Sequence, residues 1–259
     1  MQHVFVSDVH LGAFSKKTEK QIEQDLISLI DYCEKNHAQL HILGDLFDYW
    51  MEYPGYAPEL GEELLERFEA YNRNNGGATF ITGNHDNWTF GYFEEKGFNV
   101  SHDFADTTIG SQRVFMHHGD GFREGMFNLH RPFFHRLLRN KKFIKLYQSI
   151  LPADAGIHLM KTFSSLVRNE DYLNPRRLDS WAESFLENYP YDIVLCGHDH
   201  IPRLETFSFG TYINLGTFFN HRSVAVYTNG EFDLVTWDGD AKQFKPVHTI
   251  LHTRENKLI

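Results

Sequence analysis

Ala78-Thr79-Phe80-Ile81-Thr82-Gly83-Asn84-His85-Asp86 is the stretch on which the reading of this chain turns. Its apolar start reads as a short buried strand, and Gly83 as the residue that lets the backbone bend at the strand's exit. Asn84 offers a neutral oxygen suited to a metal ion, and His85 offers a proton or a hydrogen bond. Asp86 is expected to hold the His85 ring in one tautomer.

Motifs of the same build recur elsewhere: Asp8-Val9-His10, Gly44-Asp45, His118-Gly119-Asp120 and Gly197-His198-Asp199-His200. Each follows a strand-like run, in turn Val4–Val6, Leu40–Leu43, Arg113–Met116 and Asp192–Cys196. Helical patterns at 17–36 and 59–74 separate the first three motifs; Ile22, Leu26, Leu29, Ile30 and Cys33 share one face of the former. Strand–helix alternation predicts a βαβ sheet, which gathers ligands at the carboxyl ends of its strands. Further short strands are expected at 98–100 and 107–109. The tail carries more at 203–209, 212–215, 223–227 and 232–237, the last two joined by an Asn229-Gly230 turn.

The motifs together supply carboxylates, imidazoles and one amide. That mixture suits Mn²⁺, Fe or Zn²⁺ and differs from a thiolate site. It holds more donors than one ion needs, whereas two divalent ions sharing a bridging carboxylate would use them all. His117 reads as packing or support beside His118, and His3, His37 and His41 as structural or exposed.

Of 259 residues, 41% are apolar and 23% charged, which excludes a disordered chain and allows a sizeable core. Cys33 and Cys196 stand in no metal-type spacing, and the opening Met1–Phe5 lacks the layout of a signal peptide. No uncharged apolar run is long enough to span a bilayer. The expectation is a cytoplasmic protein with no nucleic-acid partner. The net charge of −10 is uneven: residues 122–177 carry eleven Lys/Arg against four Asp/Glu, or +7, leaving −17 for the rest. A basic island in an acidic chain points to an anionic partner.

The five blocks, in their order, resemble the signature of calcineurin-like metallophosphoesterases. The resemblance implies a four-layer α/β fold, two mixed sheets flanked by helices. It implies that Asp8, His10, Asp45 and His200 hold one metal and that Asp45, Asn84, His118 and His198 hold the other, with Asp45 bridging. Mn²⁺ is the expected ion. His85 becomes the catalytic histidine at the leaving oxygen, with Asp86 as its support.

A helical, basic insert is expected over 122–185, within one domain of residues 1–259. Bulky apolar side chains alternate there with Lys and Arg, as in Phe133-Phe134-His135-Arg136-Leu137-Leu138-Arg139. With Asp8-Val9-His10-Leu11, and with Gly44-Asp45-Leu46-Phe47 followed by Trp50, the chain resembles the UDP-2,3-diacylglucosamine pyrophosphohydrolases of lipid A synthesis. That family's well-known members carry Arg where this chain has His85. The resemblance implies attack by an activated water on the α-phosphorus of an acylated UDP-sugar, releasing UMP. It also implies a peripheral position on the anionic cytoplasmic face of the inner membrane. Asn84, Arg168 and Arg177 are the expected substrate contacts. Two other readings stay open: a nucleotide or cyclic-nucleotide phosphodiesterase, and a protein-binding scaffold on the same fold. The oligomeric state is left open.

Overall fold

A computed structural model describes residues 1–123, 126–167 and 177–247. Arg168 and the last residues of the polar tail lie outside the described residues.

The first sheet is built on β1 (His3–Val6), β2 (Gln39–Leu43), β3 (Thr79–Ile81) and β4 (Asn99–Ser101), all parallel neighbours in chain order. Helix α1 (Lys16–Lys35) makes the first crossover and α2 (Glu62–Asn75) the second; the short α3 (Tyr92–Glu95) precedes β4. The α2 pattern read from 59 starts three residues later, because Gly61 stands in the left-handed region at φ 64°.

The second sheet holds β5 (Phe104–Ile109), β6 (Gln112–His117), β7 (Ile193–Cys196), β8 (Arg203–Phe207) and β9 (Gly210–Asn214) in the order β5-β6-β7-β9-β8. Between β6 and β7 run α4 (Phe133–Leu138), α5 (Lys141–Ile150), α6 (Ala153–Val167) and α7 (Arg177–Asn188). The chain then returns through α8 (Phe218–His221) to the first sheet. There β10 (Ser223–Thr228), β11 (Glu231–Asp238) and β12 (Gln243–Pro246) give the order β12-β11-β10-β1-β2-β3-β4. β10 lies antiparallel to β1, so both sheets are mixed.

The two sheets pack face to face. Phe5, Leu43 and Ile81 of the first meet Val114, Leu195 and Ile213 of the second, all buried. The outer face of the first sheet is covered by Ile22, Leu26 and Leu29 of α1 with Leu64 and Phe68 of α2. The outer face of the second is covered by Leu178, Trp181 and Phe185 of α7, against Phe115, Val194 and Tyr212. Helices flank two mixed sheets in four layers, as the family resemblance implied.

The segment expected as one insert therefore has two parts. Helix α7 belongs to the body. By contrast, Leu138 of α4, Phe143, Ile144 and Tyr147 of α5 and Ile157 of α6 pack together on Met51, Tyr53 and Trp88. Those three residues stand in the loops that leave β2 and β3, so this part sits over the carboxyl ends of the strands. Helical structure starts at Phe133 rather than near 122.

Candidate metal centre

Every strand-exit motif arrives at the same end of the two sheets. Asp8 follows β1, Asp45 follows β2, Asn84 follows β3, His118 follows β6, and His198 and His200 follow β7. The turns are severe. Asp8, His10, Asp45, His198 and His200 all have positive φ, between 50° and 76°. Non-glycine residues adopt this conformation at a cost of about 1–2 kcal/mol each, and it persists where surrounding structure demands it. Five such residues among the seven expected ligands mark a site whose geometry is held against local preference.

Gly83 has a different part from the one its sequence suggested. It is not a left-handed bend; it lies so close to Asp45 that a side chain there would overlap the Asp45 carboxylate. At Gly44, φ is 87° and a Cβ would stand 2.5 Å from His118 Nδ1. Both glycines let β2 and β3 bring their exits together.

The carboxylates lie at the middle. Asp45 Oδ2 is 3.2 Å from His118 Nε2, 3.6 Å from His10 Nε2 and 4.0 Å from His85 Nε2. Asp8 Oδ1 is 3.2 Å from His200 Nε2 and 3.7 Å from His10 Nε2. Three groupings bring ligand atoms within 4.8 Å of one another: Asp8–His10–His200, His10–Asp45–His85 and Asp8–Asp45–His118. Asp45 and Asp8 each belong to two of them. Asn84 joins through its side-chain oxygen, 3.0 Å from His118 Nε2. His198 stands outside these groupings. Its amide donates to Asp8 at 3.1 Å, and its ring packs against His118 at 5.1 Å between centroids.

These residues fit a divalent cation. His118 donates Nδ1–H to the Leu43 carbonyl at 2.8 Å, which leaves Nε2 facing the oxygens of Asp45 and Asn84. His10 Nε2 is buried and has no hydrogen-bond partner. A positive charge is needed between such groups. Protons respond to the same field. Burial works against charge on His10, yet Asp48, Asp8 and Asp45 outweigh it and push its pKa up to about 10. His118 is likewise raised to about 10, chiefly by Asp45 against burial. Burial raises Asp8 and Asp45, but the histidines prevail and hold both well below the usual carboxylate range.

His85 differs. Burial lowers its pKa below that of a free imidazole, although Asp45 and Asp48 act in the opposite sense. Its Nδ1–H donates to the main-chain oxygen of Asp48 at 2.7 Å, which leaves Nε2 free on the Asp45 side. Asp86 does not support this ring. Its carboxylate accepts the amides of Gly83 at 2.6 Å and Leu46 at 2.8 Å, so it ties the exit of β3 to that of β2. The support expected from Asp86 comes from Asp48, whose carboxylate also lies 3.4 Å from His10 Nδ1.

Asp120, Arg131 and Arg139 were also missed as site residues. The buried Asp120 carboxylate holds Arg131 Nε at 3.1 Å and Arg139 Nε at 3.0 Å. Arg139 further donates to the carbonyls of Thr82 at 3.0 Å and Gly83 at 2.8 Å. The His118-Gly119-Asp120 block therefore anchors the stretch that carries Asn84 and His85. His117 packs between Trp181 and Phe122, at 4.7 and 5.1 Å between centroids. Arg177 opens α7 and donates to the His130 carbonyl at 3.3 Å.

A family model for calcineurin-like phosphoesterases matches residues 1–202. The chain belongs to this family. It is a hydrolase of a family that uses divalent metals. Curated relatives named UDP-2,3-diacylglucosamine hydrolase include one from Vibrio vulnificus strain YJ016, 22% identical over 247 residues, which are 90% of this chain and 97% of that protein. One from Blochmanniella pennsylvanica is 25% identical over 216 residues, 79% of this chain and 81% of that protein. One from Porphyromonas gingivalis is 26% identical over 151 residues, 57% of this chain and only 56% of that protein. Among solved structures, an Escherichia coli phosphoesterase, Yfce, aligns over 94% of this chain and 96% of its own at 16% identity and a TM-score of 0.48.

Proposed function

We propose that this phosphoesterase hydrolyses the diphosphate of an acylated UDP-sugar, UDP-2,3-diacylglucosamine, to UMP and 2,3-diacylglucosamine 1-phosphate. One observation carries the hydrolytic part: two buried carboxylates shared among four histidines at one point, with an amide oxygen beside them. The substrate is supported by the names of relatives that align nearly end to end.

Asp8, His10 and His200 would hold one divalent ion, and Asp45, Asn84 and His118 the other, with His198 on the same side as His118. Mn²⁺ suits this donor set, as do Fe and Zn²⁺. Two such ions supply an activated water near neutral pH and stabilise charge on the phosphoryl oxygens. The chain's own residues do the rest. His85, held by Asp48, keeps Nε2 directed into the centre, where it handles the proton of the leaving UMP oxygen. Asp120 and Arg139 fix the loop that carries Asn84 and His85. Arg168 and Arg177 remain the proposed contacts to diphosphate or sugar.

The exposed side of α4, α5 and α6 supports peripheral membrane docking. Phe133, Leu146, Ile150 and Leu159 are all more than half exposed. On α5, Lys142, Leu146 and Ile150 follow one another at four-residue steps, so cation and apolar side chains share a face. Among the described residues no helix is long and apolar enough to cross a membrane.

The test is direct. Purified protein with Mn²⁺ receives UDP-2,3-diacylglucosamine, its deacylated counterpart and a generic phosphodiester, and products are identified by mass. UMP release that strongly favours the acylated substrate is expected. Equal turnover of all three would replace this reading with a general nucleotide phosphodiesterase.

A further inference from the structure

Helix α8 lies against the half of the centre that Asp8, His10 and His200 form. Its main chain is fixed to the exit of β1: the amides of Phe218 and Phe219 both donate to the Asp8 carbonyl, at 3.1 and 3.3 Å. From there the Phe219 ring reaches both histidines of that half. Its centroid stands 5.7 Å from that of His10, with 81° between the planes, and 5.6 Å from that of His200, with 85°. The His10 and His200 rings are themselves 5.2 Å apart at 80°. Three rings therefore meet pairwise, edge to face. We propose that Phe219 is a positioning residue for His10 and His200, and that it sets the affinity of this half of the centre for its ion; the inference rests on the two-ion reading above.

The two histidines come from different sheets, His10 after β1 and His200 after β7. Each has a carboxylate near one nitrogen: Asp48 lies 3.4 Å from His10 Nδ1, and Asp8 3.2 Å from His200 Nε2. The outer torsion of a histidine side chain has broad minima, so the plane of the ring is set by what packs on it. Aromatic rings favour edge-to-face contact at about 4.5–7 Å between centroids, and both contacts of Phe219 fall in that range. One apolar side chain thus fixes the planes of two imidazoles that no other element joins in sequence.

Phe219 is itself held from outside the centre. Its ring packs on Phe14 at 5.1 Å between centroids. Arg222 closes α8: its guanidinium donates to the carbonyls of Phe218 and Phe219 and, at 2.7 Å, to the Asp25 carboxylate of α1. Adjacent residues divide the work. Phe218 is fully buried in the core that α1 covers, whereas Phe219 is only partly buried and lies against the histidines. The wall is therefore formed before an ion arrives. It also serves one half of the centre, since His118 in the other half is oriented by the Leu43 carbonyl and faces Asn84.

The experiment is calorimetric titration of Mn²⁺ into protein stripped with a chelator, with His200→Ala and His118→Ala as references. The binding step lost in His200→Ala belongs to the half that Phe219 touches, and the step lost in His118→Ala to the other. Phe219→Ala should weaken the first step by about tenfold or more, the usual effect of losing a group that orients a metal ligand, and leave the second unchanged. Phe219→Leu keeps most of the volume without the flat ring and should show the same selective loss. Urea unfolding of the stripped variants checks that the fold is kept. An unchanged first step in Phe219→Leu, or equal weakening of both steps, would overturn the proposal. A single step in the wild-type protein would end the two-ion reading instead; the role of Phe219 then stands if that step is lost in His200→Ala and weakened in Phe219→Leu, and falls otherwise.

Discussion

His85 Nδ1 lies 2.7 Å from the main-chain oxygen of Asp48, while both carboxylate oxygens of Asp86 are occupied by main-chain amides. Two neighbours in sequence therefore have different tasks. His85→Ala should retain its metals and lose about 10²–10⁴ in kcat, the usual range for one acid–base group. Asp86→Ala should act on stability instead. It strands two buried amides, at about 1–3 kcal/mol each, and should lower the melting temperature. Metal content, kcat and melting measured on both variants check the division. A larger selective rate loss in Asp86→Ala would return the supporting role to Asp86.

Asp45 Oδ2 lies within 4.0 Å of three histidine rings, those of His10, His85 and His118. Its loss leaves His118 and His10 without their shared partner. Asp45→Ala, loaded with Mn²⁺ and measured by elemental analysis, should retain well under the wild-type metal content and lose turnover. Full metal content with full turnover would remove the two-ion assignment.

Arg139 predicts a structural effect that reaches the site. Its side chain is 10% exposed and satisfies Asp120 and the carbonyls of Thr82 and Gly83. Removing one partner of a buried ion pair costs about 3–5 kcal/mol, because the other charge stays buried. Arg139→Ala should unfold at clearly lower denaturant and bind metal less tightly, since Asn84 and His85 lose their anchor. Unchanged denaturation would mean that Arg131 alone satisfies Asp120.

Much of this centre was legible because strand exits are written in local code. An apolar run followed by Asp, His or Asn places a donor at the carboxyl end of a strand, and the family order supplied the rest. Asp48 was not legible. It supports His85 through a main-chain oxygen, and a carbonyl is common to every residue. It also stands in the aromatic stretch Phe47–Tyr53, where no spacing sets its side chain apart as a partner of a histidine. Gly83 was recognised for the wrong reason: sequence suggests a bend, whereas the constraint is the Asp45 carboxylate at the exit of the neighbouring strand. The boundary of the insert failed on α7, because an amphipathic helix shows that it has a buried face without showing which partner covers it.

Acid stability should depend on a cluster at the opposite end of the first sheet. His41 is buried, with Nε2 3.0 Å from His3 Nδ1 and Nδ1 3.1 Å from Thr79 Oγ1. Burial, reinforced by His3, pushes the His41 pKa down to about 3. The unfolded chain takes up this proton near the ordinary histidine value, so between those limits it binds more protons than the folded one. Stability from this group is present above about pH 6.5 and is lost as pH falls towards about 3. Urea midpoints across that range should fall less steeply for His41→Gln than for the wild type. Parallel slopes would show that other groups govern acid unfolding.

The last prediction concerns the exposed face of α5. Leu146 is 59% and Ile150 68% exposed, one helical turn apart, with Lys142 one turn before them. Burying such a side chain in a bilayer interface gains about 1.5–3 kcal/mol, and each nearby cation adds about 1 kcal/mol on an anionic surface. Wild-type protein should therefore sediment with anionic vesicles and be released by salt, because the electrostatic share is screened. Leu146→Ser/Ile150→Ser should weaken that binding by more than about tenfold. The same variant should hydrolyse a small generic phosphodiester at the wild-type rate, since neither residue lies among the groups around Asp8 and Asp45. If vesicle binding is unchanged while that rate falls, the α5 face is a structural surface, and attachment to the membrane would have to run through another part of the chain.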